Sequence, residues 1–98
     1  MPAYVIADIK VTDPHQYSQY TALSPGAVAA AGGEFIVRGG RTDVLEGSYQ
    51  PSRLVMIRFD SIAAARSFYD SALYTEARAR RAGATEFFNM FVVEGIQS

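Results

Sequence analysis

Arg38 is the side chain best suited to bind a ligand, because it ends a predicted strand immediately before Gly39 and Gly40. Glycines in an extended segment leave room for a close approach to the backbone. A guanidinium at this place offers fixed donors that match the oxygen pair of a carboxylate or an enolate. The alternative is an ion pair within or between chains with one of three carboxylates, those of Asp8, Glu46 and Glu94.

Several polar rings and one amide are further candidates for a binding pocket. The tyrosines of the predicted helices could line a pocket against the sheet and orient a small aromatic or polar ligand, although such rings are more often core residues with a satisfied hydroxyl. They are Tyr17, Tyr20, Tyr69 and Tyr74. Asn89 interrupts a phenylalanine-rich predicted strand, so its amide either closes a structural hydrogen-bond network or faces a ligand.

His15 is the only histidine, and the chain contains no cysteine. One histidine could serve as an axial haem ligand. Its position directly after Pro14, at the start of a predicted helix, favours an exposed residue instead. A multi-histidine or thiolate metal site within one chain is excluded. We therefore expect no metal and no cofactor.

The charge balance bears on the partners of the chain. Ten acidic and nine basic residues give a formal net charge of -1, which argues against nucleic acid and anionic membranes as partners. The second helical region contains four arginines, which we interpret as a solvated helix face: Arg66, Arg78, Arg80 and Arg81. No basic leader and no membrane-spanning apolar run is evident, so the sequence predicts a cytoplasmic protein.

The elements that must position these residues follow from periodicity and capping signals. The 98 residues predict one domain, residues 1–98. Gly32 and Gly33 end the first helix, which we expect to kink or divide at Pro25. The predicted strands cover residues 3–11, 34–38, 53–59 and 86–94, and the chain after the second strand is expected to continue extended to residue 46. The predicted helices cover residues 14–31 and 61–81, and the second is expected to break near Ser71. The order βαββαβ predicts an α+β, ferredoxin-like fold with an antiparallel sheet.

The predicted strands also bear on the assembly. Two helices cover only one face of such a sheet, yet Leu54 and Met56 are as apolar as Val55 and Ile57 on the opposite side. The last strand is likewise apolar on both sides. A strand of this kind needs a cover on each face. A second copy of the chain is the simplest cover, so we expect a homodimer.

A set of short motifs, taken in order and spacing over essentially the whole chain, resembles the bacterial domain of unknown function 1330 family. The motifs are Met1-Pro2-Ala3-Tyr4, Asp13-Pro14 with Tyr17 and Tyr20, Gly32-Gly33, Val37-Arg38-Gly39-Gly40, Leu45-Glu46-Gly47, Pro51 with Arg53-Leu54-Val55, Tyr69-Asp70-Ser71, Tyr74 and Val93-Glu94-Gly95. The resemblance implies the dimeric α/β-barrel superfamily. That superfamily includes cofactor-free monooxygenases, haem-degrading enzymes, lactone isomerases and stress-responsive proteins.

The sequence departs from the usual family pattern at four positions. Tyr49 and Phe68 stand where tryptophan is common, and Ala72 replaces a common proline. Arg58 stands where a glutamate is usual, so any acid–base role of that glutamate in relatives is not available here.

Together these observations predict a small homodimer that binds a small organic molecule in a pocket between sheet and helices. If it is an enzyme, we expect cofactor-free chemistry on an enolisable or aromatic compound, with Arg38 stabilising developing negative charge. The alternatives are a non-catalytic stress-response or structural dimer and a haem-binding protein.

Overall fold

Four strands and three helices follow one another in the order βαββααβ. The computed structural model describes residues 1–97. Its elements are β1 (Ala3–Val11), α1 (Pro14–Ala30), β2 (Glu34–Arg38), β3 (Arg53–Phe59), α2 (Ile62–Asp70), α3 (Ala72–Arg80) and β4 (Thr85–Glu94). The predicted strands and helices are present, and the last strand begins one residue earlier than expected.

The strands form one antiparallel sheet in the order β2-β3-β1-β4. In its register, Ile6 of β1 lies opposite Met56 of β3 on one side and Phe91 of β4 on the other. All neighbouring pairs are antiparallel. This arrangement is ferredoxin-like, and it confirms the fold class predicted from the order of the elements.

The core lies between the helices and one face of the sheet. The alternation of β1 turns every second residue toward the helices, and Val5, Ala7 and Ile9 are buried there. The rings of Phe68 and Tyr74, both fully buried, pack with centroids 4.3 Å apart. Burying one such aromatic ring stabilises the fold by roughly 1.5–3 kcal/mol.

Helix α1 begins as its sequence predicts but continues where a division was expected. Asp13 caps its start, because its Oδ1 accepts a hydrogen bond from the Gln16 N–H at 3.0 Å. The helix runs without interruption through Pro25. Proline removes one hydrogen bond from a helix, but Tyr20 and Ala27, on either side of Pro25, are both buried against the core. This packing holds the two parts in one helix.

Ser71 divides the second helical region, as predicted. Its hydroxyl donates to the Phe68 carbonyl at 2.7 Å, at the end of α2. The same hydroxyl oxygen accepts from the Tyr74 N–H at 3.1 Å, at the start of α3. One serine thus ends one helix and caps the next.

The segment after β2 is an irregular loop, residues 39–52, and the expected extended continuation to residue 46 is wrong. Gly39 has φ +71°, a left-handed conformation that diverts the chain from β3. The far end of the loop is held by Asp8, whose carboxylate accepts from the Tyr49 hydroxyl and from the Ser52 N–H. Leu45, in between, is 93% exposed.

The sheet face that points away from the helices is apolar at its centre, where Ile6, Met56 and Phe91 are cross-strand neighbours. Phe91 is 57% exposed and Val93 is 45% exposed. Asp8 and Asn89 face each other toward one end. Within residues 1–97, no helix or strand covers this face, which we call the open face. The prediction that the third and last strands are largely apolar on both sides is confirmed, although β4 lies at the edge of the sheet.

Candidate functional site

A small cavity lies between α1, α3 and the helix-covered face of the sheet. Its volume is about 20 Å³, which is room for about one water molecule. Apolar residues of all four strands form its floor, and tyrosines and a serine of the helices form its roof. Four of the residues named as candidates line it, namely Arg38, Tyr17, Tyr20 and Tyr74, together with Arg53, which the sequence analysis did not select.

Arg38 reaches this cavity because β2 contains a bulge. Regular alternation would place Arg38 on the same face as Ile36, opposite to Phe35. The register shifts between Phe35 and Val37, so that Phe35 and Arg38 both face the helices. The face expected for Arg38 from alternation within its own strand is therefore wrong.

Arg53, at the start of β3, lies beside Arg38. Arg38 is opposite Val55, which is two residues along the same face of β3 from Arg53. A Cβ added at Gly39 would overlap the Arg53 guanidinium, so this glycine makes the space that the arginine occupies. The simple alternation of β3 already puts Arg53 on the face of the buried Ile57, which is the signal that could have identified it.

Neither arginine has a carboxylate partner in the described part of the chain. The ion pairs among residues 1–97 join Lys10 to Glu86, Arg58 to Asp60 and Arg80 to Glu76. The Arg53 Nε is buried without a hydrogen bond. Arg38 is exposed, and its Cζ lies 4.6 Å from the centroid of the Phe35 ring.

The tyrosines are held protonated by their surroundings. Burial raises the pKa of Tyr17, and the nearby charges of Arg53 and Arg81 oppose this only in part. Burial, followed by interaction with Tyr74, raises the pKa of Tyr20 well above its usual range. Near neutral pH these hydroxyls are therefore hydrogen-bond donors rather than bases.

The hydroxyls of Tyr20 and Tyr74 are hydrogen-bonded to each other at 2.7 Å in a buried position. We expect Tyr20→Phe or Tyr74→Phe alone to lower the free energy of unfolding by about 1–3 kcal/mol, because one buried hydroxyl loses its partner. The double variant is expected to cost less than the sum of the two. Urea unfolding of all four proteins measures the coupling, and strictly additive effects would contradict this role.

The other predicted site residues lie elsewhere. Tyr69 is outside the cavity and 36% exposed, with the Arg78 Cζ 4.4 Å from its ring centroid. His15 is exposed at the beginning of α1. Asn89 is exposed on the open face, in register with Asp8. His15 and Asn89 thus lie apart from Arg38, Tyr17 and Tyr74, whereas the ring of Tyr69 packs beside that of Tyr74, with centroids 5.8 Å apart.

Arg81 corrects the interpretation of the second helical region as a uniformly solvated face. It follows α3, and its Cζ lies 3.6 Å from the centroid of Phe88 and 5.2 Å from that of Tyr20. Its Nε is buried without a hydrogen-bond partner. Position along the helix gave no signal of this, because Phe88 belongs to the following strand.

The described residues contain no cluster of three or more histidine, cysteine, aspartate or glutamate side chains that could hold a metal ion. No helix within residues 1–97 combines the length and apolar character needed to cross a bilayer.

The sheet order and the helix-covered cavity define a ferredoxin-like α+β protein. The chain belongs to the family described as Domain of unknown function (DUF1330), whose model matches residues 2–96. This finding confirms the resemblance noted from the motifs. No curated protein matches the chain.

Solved structures show the same fold at low sequence identity. A protein of unknown function from Rhodopseudomonas palustris is 17% identical with a TM-score of 0.75, over 99% of this chain and 84% of that one. A dimeric ferredoxin-like protein of unknown function from Jannaschia sp. CCS1 is 13% identical with a TM-score of 0.75, and the match covers 97% of this chain and 100% of that one. A protein from Caulobacter crescentus with the provisional name antibiotic biosynthesis monooxygenase is 13% identical with a TM-score of 0.65. This match covers 98% of this chain and 91% of that one.

Proposed function

We propose that the chain forms a homodimer through its open face and that each copy binds a small organic anion between the sheet and the helices. The dimer is supported by the apolar residues at the centre of the open face, Ile6, Met56 and Phe91. Contiguous apolar patches of this kind mark protein–protein contacts. Several structural neighbours are described as dimeric.

The observation that carries the anion site is the lack of a counter-charge for the arginines of the helix-covered face. Arg53 and Arg81 each have a buried Nε without a hydrogen bond, and no ion pair involves either residue within the described chain. Keeping a cation partly buried without a partner is costly. A carboxylate or enolate supplies both the missing charge and the hydrogen-bond acceptors.

The arrangement also fits cofactor-free chemistry on an enolisable or aromatic compound. Arg38 and Arg53 are placed to stabilise negative charge that develops on an oxygen. The protonated hydroxyl of Tyr17 lies near Arg53 and is available to donate a hydrogen bond to the same oxygen. In this proposal the arginines provide electrostatic stabilisation and the tyrosine provides orientation.

A non-catalytic dimer is the second candidate, and the cavity volume favours it. About 20 Å³ admits no organic molecule unless side chains move. In that case the tyrosines and Arg53 serve only packing, and no small acid binds.

Calorimetric titration of the wild-type protein with acetoacetate, benzoate and phenylacetate tests the proposal. We expect at least one of them to bind, and Arg53→Met to weaken its binding by at least about tenfold, or about 1.4 kcal/mol. Arg41→Met, in the exposed loop, is the matched control. Failure of all three acids to bind, or equal effects of the two variants, would contradict the anion site.

A further inference from the structure

We infer that a second space, a groove between α2, the end of α3 and β4, binds the apolar body of an aromatic organic anion whose charge is held by Arg81. The inference goes beyond the proposed function, because it gives Arg81 a second site for an organic anion, apart from Arg38 and Arg53. The groove is distinct from the cavity beneath α1. Of the predicted site residues, Tyr69 lines the groove, whereas Arg38, Tyr17 and Tyr74 do not.

The groove has the size that the cavity lacks. Its volume is about 350 Å³, within the range of about 300–1,000 Å³ that is usual for small-molecule sites. Its apolar lining comes chiefly from α2 and β4, namely Ala65, Phe68, Phe88, Met90 and Val92. Arg66, Tyr69 and Arg81 add polar surface to the walls. Walls that combine apolar and charged surface suit a flat aromatic ring that carries a negative charge.

Arg81 supplies the charge at one wall. Its guanidinium stacks on Phe88 at 3.6 Å, which fixes the plane in which its N–H groups point. Its buried Nε has no hydrogen-bond partner. Arg66 also lines the groove, and none of the described residues that line it carries a carboxylate. The two arginines and the absence of an acidic lining residue favour a carboxylate or phenolate over a neutral or cationic ligand.

The groove and the cavity share a wall, formed by Val5, Phe68, Phe88 and Met90. Arg81 lines the groove, and its Cζ lies 5.2 Å from the ring centroid of Tyr20, which lines the cavity. The two spaces are therefore neighbours.

The test is titration of the full chain with naphthoate, measured by calorimetry and by NMR contacts to the methyl groups of Val92, which line the groove and not the cavity. We expect binding, with nuclear Overhauser contacts from the naphthalene ring to Val92. Naphthalene carboxamide, the neutral analogue, is expected to bind at least about tenfold more weakly. Arg81→Met is expected to remove this preference for the anion, and Arg81→Lys to retain part of it.

Arg80→Met is the matched control, since Arg80 is exposed and paired with Glu76. If Arg53→Met abolishes naphthoate binding while Arg81→Met does not and no contact to Val92 is seen, the groove inference is wrong and the anion site survives. If neither naphthoate nor the smaller acids bind, the proposed function itself fails. Contacts between Val92 and a second copy of the chain would also overturn the inference, because the groove would then be covered by the partner. The wild-type contacts to Val92 decide the question even if Arg81→Met unfolds.

Discussion

Phe91→Asp is expected to convert the protein into a monomer of 10.7 kDa that remains folded. Phe91 is 57% exposed in the single chain, so an aspartate at this position meets water in a monomer. In a dimer that buries the open face, the same carboxylate is desolvated without a partner, which costs several kcal/mol. The loss of affinity between copies is therefore expected to exceed about a hundredfold.

Sedimentation equilibrium at micromolar concentration, together with a thermal melt, measures this effect. Leu73→Asp is the matched control, because Leu73 is 53% exposed on α3, on the helix side of the sheet. The control is expected to remain dimeric. A wild-type protein that sediments as a single 10.7 kDa species, or a Phe91→Asp variant that remains dimeric, would contradict the proposed interface.

Arg38→Met is expected to abolish binding of small organic acids while changing the free energy of unfolding by less than about 1 kcal/mol. Arg38 is exposed, and its guanidinium stacks on Phe35. Methionine keeps most of the apolar stem, so the contact with the ring is largely retained, whereas the charge and its donors are lost. We therefore expect the substitution to remove acid binding and to leave the stability of the fold nearly unchanged.

The opposite result is expected if Arg38 forms a buried ion pair with a carboxylate of the partner copy. The substitution would then leave that carboxylate unpaired and cost about 3–5 kcal/mol. Thermal melts of wild type, Arg38→Met and the control Arg41→Met, each with and without the panel of acids, distinguish the cases. A large fall in melting temperature, with no acid shifting the wild-type melt, identifies Arg38 as part of the scaffold.

The sequence by itself determined the elements and their order, because the signals for them are local. Alternation over Ala3–Val11 and Arg53–Phe59 needs only neighbouring residues to be recognised. Asp13 and Ser71 cap helices through hydrogen bonds to residues three positions along the chain. The apolar residues on both sides of β3 and β4, and with them the centre of the open face, also follow from period-two alternation.

Only the tertiary structure decided which residues meet at the site. The bulge in β2 depends on its pairing with β3, and it turns Arg38 toward the helices against the local alternation. The Tyr20–Tyr74 hydrogen bond joins residues 54 positions apart, and Arg81 packs on Phe88 of the next strand rather than facing water. The volumes of the cavity and the groove depend on side chains from several elements at once. Packing between distant segments sets these features, and short-range periodicity contains no information about it.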